Sequence, residues 1–227
     1  MNFKISAFFI CFLLCSIFIY SHDYVLTPEK FNYEKGETML VHLMVGEIYN
    51  YEFERELQLN MTPRFQLYTQ KKVTSLLVNA TDSMIPVAEH TVDFEGLGML
   101  VMERNPSMIE EKPGAFENYL GEERVNGIIF DSTAWKKKVV KERYTRYLKS
   151  LVLSGTSDKE DFYMQPVGLK LEIILLVNPF VLKPEEEVVV QVLLDGKPFA
   201  NSLLGITQQT YKSAPFTDYA FTDKKGI

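Results

Sequence analysis

The sequence predicts a mainly β protein: a β-sandwich carrying a helical insertion, followed by a smaller β unit. Three observations predict it. Aromatic residues make up 13% of the 227-residue chain, with 12 Tyr and 16 Phe, and aromatic and β-branched side chains fit the pleated surface of a sheet. Short apolar runs alternate with Gly, Pro, Asn and Asp turn signals, the rhythm of a sandwich. Residues 106–150 break that rhythm, with apolar positions at helical spacing.

The first strong strand is 37–47 (ETMLVHLMVGE), a dense apolar run directly after the turn signal Glu34-Lys35-Gly36. Further strands are expected at 64–69, 73–78 and 98–102, with loops at 79–82 and 93–96. Pro113-Gly114 opens a helical segment in which Phe116, Tyr119 and Leu120 share a face. A longer helix is expected near 132–150, capped by Asp131 or Ser132. On it Trp135, Val139, Tyr144, Tyr147, Leu148 and Leu151 fall near one side. Lys136, Lys137, Lys138, Lys141, Arg143, Arg146 and Lys149 occupy the other. That basic side reads as a solvated helix face; its functional alternative is contact with an acidic partner or anionic lipid.

The polar run 155–161 (GTSDKED) marks the boundary between a sandwich domain, 22–160, and a second unit, 161–227. In the second unit 170–177 and 188–194 read as strands. Asp195-Gly196-Lys197-Pro198 reads as a hairpin turn, because Asp-Gly tolerates positive φ, with 201–206 as the returning strand. Residues 216–221 form one more strand. This composition fits an immunoglobulin- or transthyretin-like unit. The turn at 222–226 has no strand returning after it, which predicts an incomplete C-terminal unit.

Residues 1–21 stand apart. Lys4 supplies a positive charge, 5–20 is an uncharged apolar run, and Ser21 is a small residue at the break before His22. This is the pattern of a secretory signal peptide, cleaved after Ser21, and it places the protein in the periplasm or outside the cell. No later stretch reaches the ~20 apolar residues of a spanning helix, so no membrane span is expected after cleavage. Both cysteines, Cys11 and Cys15, lie in the signal. The mature chain therefore has no disulfide, no thiolate metal site and no Cys nucleophile. A net charge of -6 argues against nucleic acid, whose phosphates need a basic surface.

Catalytic motifs are missing. The sequence has no G-x-S-x-G, no H-E-x-x-H and no P-loop, so no enzyme is expected. Glu110-Glu111 and Glu185-Glu186-Glu187 read as solvated carboxylates. His22 carries the one distinctive signal. After cleavage its free amine and imidazole form a two-point chelate, and nitrogen donors suit nickel or copper. Asp23, His90, Glu89 or Asp93 are the candidates to complete the site, with Asp23 and His90 taken as the additional ligands. His42 shares a strand face with Leu40 and Met44 and reads as a buried, hydrogen-bonded core histidine.

The opening HDYVLTPEKFNYEKGETMLVHLMVGE resembles the mature start of the bacterial domain-of-unknown-function family 4198. The similarity recurs at PSMIEEKPGAFENYLGEE, at KERYTRYLKSLV and at PVGLKLEIILLVNPFVLKPEEEVVVQVLLDGKPFA, and covers nearly all of 22–223. Members typically begin His-Asp, matching His22 and Asp23, and usually continue past the TDxxG turn. Many are described as periplasmic components of nickel uptake, the NikM type. The resemblance thus implies an exported accessory protein that handles a transition metal, partnered by a membrane transport complex or another envelope protein. The alternative is a metal-free carbohydrate- or protein-binding β-sandwich module of the envelope.

Overall fold

The computed structural model describes residues 23–47, 49–125, 128–156, 161–183, 186–208 and 216–227. The expected signal segment, 1–21, and His22 lie outside the described residues. The strands in chain order are β1 (Asp23–Pro28), β2 (Asn32–Tyr33), β3 (Thr38–Glu47), β4 (Asn50–Glu54), β5 (Arg64–Thr69), β6 (Val73–Ser75), β7 (Ala88–Thr91), β8 (Gly96–Glu103) and β9 (Ser107–Glu111). Helix α1 (Pro113–Glu122) follows. Then come β10 (Val140–Tyr144), β11 (Tyr147–Ser154), β12 (Leu171–Leu175), β13 (Val190–Leu194), β14 (Lys197–Pro198), β15 (Leu203–Gln208) and β16 (Phe216–Phe221). The protein is mainly β, as its composition predicts. Among the described residues no helix is long and apolar enough to cross a membrane.

Two sheets form the sandwich. In the first, β3 pairs with β1 on one side and with β7 and β4 on the other. The second runs β2-β11-β8-β5-β6. Strict alternation makes the core. Met39, Val41 and Leu43 of β3 point inward and are fully buried against Phe65, Leu67, Leu100 and Met102 of the facing sheet. Each such side chain contributes roughly 1.5–3 kcal/mol by leaving water.

Strand β8 is buried on both faces. Leu100 and Met102 face the sandwich core, whereas Leu97, Met99 and Val101 face a second core with Leu153, Phe162 and Leu169. The segment after β11 thus folds back over the outer face of the sheet as a third layer. Gly98 is required by close approach: a Cβ there would sit 2.7 Å from the Phe94 ring and 3.0 Å from Val152.

The structure corrects the expected helix near 132–150. The turn around Asp131 does form, since its Oδ1 accepts from the Thr133 and Ala134 amides and from the Thr133 hydroxyl. No helix follows it. Residues Val140–Tyr144 pair with β9, and Tyr147–Ser154 pair with β8 across eight residues. The cause is two-sided burial: Leu148 and Val152 pack on the sandwich core while Tyr147, Leu151 and Leu153 pack on the second core. A strand apolar on both faces places apolar residues at i+3 and i+4 by default, which imitates an amphipathic helix. The shorter helical signal, at Phe116, Tyr119 and Leu120, is α1, with Pro113 at its start.

The second unit holds the sheet β12-β13-β14 and the pair β15–β16. Asp195 and Gly196 carry φ of 50° and 72°, the positive values a tight hairpin needs. The turn joins β13 to the two-residue β14, and 203–208 pairs with β16 rather than returning along β13. Glu172 fastens this unit to the sandwich. Its carboxylate, buried, accepts from the amides of Val167, Gly168 and Leu169 and from Lys149 Nζ at 3.0 Å.

Candidate ligand-binding cleft

A cleft of about 1330 Å³ runs along β1 and β11, walled by the β9–β10 hairpin on one side and β12 on the other. Pairing explains what each element presents. Glu142 lies opposite Ile109, so Ile109, Glu111, Glu142 and Tyr144 share one hairpin face, and all four line the cleft. On β12 the buried Glu172 and Ile174 point away, which leaves Leu171, Ile173 and Leu175 as an apolar wall. β1 contributes Asp23 through Leu26, and β4 contributes Phe53 at its edge.

Basic and aromatic side chains interleave at one side. The Arg146 guanidinium lies 4.0 Å from the Tyr24 ring centre and 4.4 Å from that of Tyr144. Arg104 approaches the Tyr24 ring at 5.4 Å, and Arg55 sits 5.0 Å from the Phe53 ring. Arg104 is 5% exposed and donates to Gln58 Oε1 at 2.6 Å and to Thr62 Oγ1 at 3.4 Å, both neutral. Burial, with the nearby charges of Arg146 and Arg55, makes Arg104 easier to deprotonate than an ordinary arginine, and the Tyr24 and Tyr144 hydroxyls oppose this. Arg55 Nε is buried without a hydrogen-bond partner among the described residues.

Carboxylates stand among these groups, since Glu142 shares the hairpin face of Tyr144 and lies in the field of Arg146. Burial pushes the Glu123 carboxyl up, reinforced by the negative charges of Asp23, Glu122 and Glu142. Burial also raises Glu142, reinforced by Glu111 and opposed by a hydrogen bond with Tyr119 and by the charge of Arg146. The Tyr144 hydroxyl feels burial first, which raises it. Its hydrogen bond with Arg146 and that cation's field outweigh the burial, and the net direction is down.

The expected metal ligands separate in the fold. Asp23 starts β1 opposite Gly46, at the cleft. His90 lies on β7 opposite Met39, seven residues further along β3, or about 23 Å at ~3.3 Å per residue. Its Nε2 is buried without a hydrogen-bond partner among the described residues, 3.7 Å from Asp93. Burial lowers its basicity, and the Asp93 charge opposes that. Among the described residues no group of three or more His, Cys, Asp or Glu is spaced to hold a metal. Asp23 and His90 therefore stand apart, and His22, the remaining expected ligand, lies outside the described residues.

His42 is hydrogen-bonded, through Nδ1 to Glu54 Oε1 at 2.7 Å, with Glu29 at 3.7 Å from Nε2. It is not in the core. The inward face of β3 is the odd-numbered one, and His42 stands half-buried on the reverse face with Leu40 and Met44.

Sequence reasoning missed Tyr24, Arg55, Arg104 and Tyr144 as one group. They come from four strands or strand ends up to 120 positions apart in the chain, and no local pattern links them. Arg146 was placed on a helix face for the reason given above. No curated protein and no solved structure matches the chain. A family model does: residues 19–227 match the one described as Domain of unknown function (DUF4198), and the chain belongs to that family.

Proposed function

We propose that the protein is a non-enzymatic, exported ligand-binding module of the cell envelope, working at the cleft that begins at Asp23. The observation that carries this reading is the cleft's lining. An apolar wall from β12 faces tyrosines of β1, β10 and β11, with a few charged groups at fixed places. That is the usual make-up of a small-molecule or polymer-end site, with apolar surface for affinity and sparse polar groups for orientation. A carbohydrate or a peptide segment suits tyrosine faces of this kind. Export rests on the signal pattern of 1–21 and the His22-Asp23 start.

A second reading has one observation in its favour. Cleavage after Ser21 would leave the His22 amine and imidazole next to Asp23, with Glu111, Glu123 and Glu142 nearby. Negative charge favours a cation, and the donor set suits nickel or copper. In that reading His22 and Asp23 hold the metal and His90 takes no part. The partner receiving it would be a membrane transport complex or another envelope protein.

Recovery of the protein from the envelope fraction tests both. Intact mass is expected to begin at His22. Native mass spectrometry of the wild type is expected to show bound small molecules that an Ile173→Trp variant, its cleft filled, has lost. Equal loading of the two proteins would overturn the cleft reading. Nickel and copper binding that survives His22→Ala would overturn the metal reading.

A further inference from the structure

We propose that the lobe between β9 and β10 ends in a membrane-docking tip, in which Ile128, Ile129 and Trp135 enter the interface of an anionic lipid bilayer and Lys136, Lys137 and Lys138 meet its headgroups. This surface is independent of the cleft and of what the cleft takes.

Exposure is the first ground. Ile129 is 101% exposed, Ile128 55% and Trp135 39%. Single exposed apolar residues are ordinary, but these three share one short loop that is built to hold them out. The Phe130 ring packs on Phe116 at 5.1 Å and on Trp135 at 5.2 Å. Asp131 Oδ1 closes the turn between the two rings by accepting from the Thr133 and Ala134 amides. Contact between residues 130 and 135 draws the two legs of the loop together, so the isoleucines before it and the lysines after it flank one tip. Trp135 Nε1 already donates to the Val139 carbonyl at 3.2 Å, so its indole can leave water without losing a hydrogen bond. An indole of this kind suits the boundary between headgroups and hydrocarbon.

Charge is the second ground. Lys136, Lys137 and Lys138 are exposed, and among the described residues no ion pair joins them to a carboxylate. Lys137 Nζ lies 6.0 Å from the Trp135 ring centre. The carboxylates of the lobe are engaged elsewhere. Glu110 pairs with Lys141, Glu117 accepts from the Ser132 hydroxyl, and Asp131 is held by its own turn. Glu111 and Glu142 line the cleft, and Glu122 and Glu123 lie at the end of α1, where Asp23 of the cleft acts on Glu123. Residues 128–138 carry three lysines against the single Asp131, in a chain whose net charge is -6. This end of the molecule therefore steers toward an anionic surface. A soluble polyanion would use the lysines and leave the isoleucines in water. An anionic bilayer takes both, the lysines by attraction and the apolar tip by burial.

The test is flotation of the full mature protein, from His22, with vesicles of phosphatidylcholine alone and of phosphatidylcholine mixed with phosphatidylglycerol. Trp135 is the one tryptophan of the chain, so its emission reports the tip directly. Binding is expected to be at least about tenfold tighter on the anionic vesicles, with the Trp135 emission moved to the blue. Lys136→Gln, Lys137→Gln and Lys138→Gln are each expected to weaken it about fivefold. Ile129→Ser is expected to weaken it about tenfold at an unchanged melting temperature, since the side chain it replaces is fully exposed. Absence of binding, or equal binding to both vesicles, would overturn the proposal. So would anionic binding that survives all three lysine substitutions. Anionic binding with an unmoved Trp135 emission and no effect of Ile129→Ser would reduce the tip to a polyanion contact and overturn its insertion. The reading of the cleft stands whichever result is found.

Discussion

Strand β8 and the hairpin β15–β16 are comparably rich in apolar residues, yet they meet opposite fates. In β8, Leu97, Met99, Leu100, Val101 and Met102 are all fully buried, because one face meets the sandwich core and the other meets the layer after β11. In β15–β16, Ile206, Tyr219 and Phe221 are 49%, 41% and 50% exposed. Apolar sequence alone therefore does not locate stability; the number of layers a strand touches does. The apolar residues of β12 make a third case. Leu171 and Ile173 are as exposed as those of the hairpin, but they wall a concave site opposite arginines and tyrosines. The rigid two-faced sheet is what holds that site in place.

Several substitutions sharpen or break this contrast. Phe65→Ala removes a fully buried ring from the sandwich core and is expected to cost about 3–5 kcal/mol in denaturant unfolding. A loss below ~1 kcal/mol would mean that the two sheets are not packed as described. Glu172→Leu leaves three amides without their acceptor and Lys149 without its carboxylate, with the Ile173 carbonyl as its remaining acceptor. It should cost a similar 3–5 kcal/mol, and the loss should appear together with weakened protection of the 167–175 amides in hydrogen exchange. Gly98→Ala forces a Cβ against Phe94 and Val152, an overpacking worth about 1–3 kcal/mol.

A pH effect comes next in size. Burial holds the His90 imidazole below its ordinary 6.5. Above that value both folded and unfolded chains are neutral there. Below it the unfolded chain takes the proton first, so stability falls as the pH drops towards the folded value. Asp93 and Lys72 are the charges acting on this imidazole. Glu123 and Glu142, raised in the fold, act in the opposite sense, since their protonation on acidification favours the folded state. His90→Gln should therefore lose less melting temperature than the wild type between pH 7 and about pH 5.5. A steeper loss in the variant would contradict the burial described for this side chain. The smallest effect is expected at the surface hairpin, where Ile206→Ala should stay within about 0.5 kcal/mol of wild type. A large loss there would mean that another surface covers the hairpin.

What the sequence made legible follows the same division. β3 is visible in 37–47, because its run is dense and follows directly on a turn signal. The Asp195-Gly196 turn was visible because positive φ at both positions selects those residues. β10 and β11 were read as a helix because two-sided burial erases the alternation that marks a strand. His42 does share a face of β3 with Leu40 and Met44, but that face is not the core, and the sequence does not say so because Leu40 and Met44 are as apolar as Met39, Val41 and Leu43. One residue of phase decides which set is inside. In the cleft, Asp23 was singled out for its place after His22, while Tyr24 next to it carried no signal. A tyrosine contacted by two arginines is a property of strand pairing that joins positions 24, 104 and 146, and it becomes visible only once β1, β8 and β11 are placed.

The cleft between β1, β11, the β9–β10 hairpin and β12 is the working surface proposed for this protein. Mapping 2-naphthamide onto assigned backbone resonances tests it most directly. The account predicts that the largest shifts fall at Tyr24 and Tyr144, extend along Leu171 and Ile173, and vanish in Ile173→Trp. Shifts concentrated at Ile206, Tyr219 and Phe221, unaffected by that substitution, would contradict it.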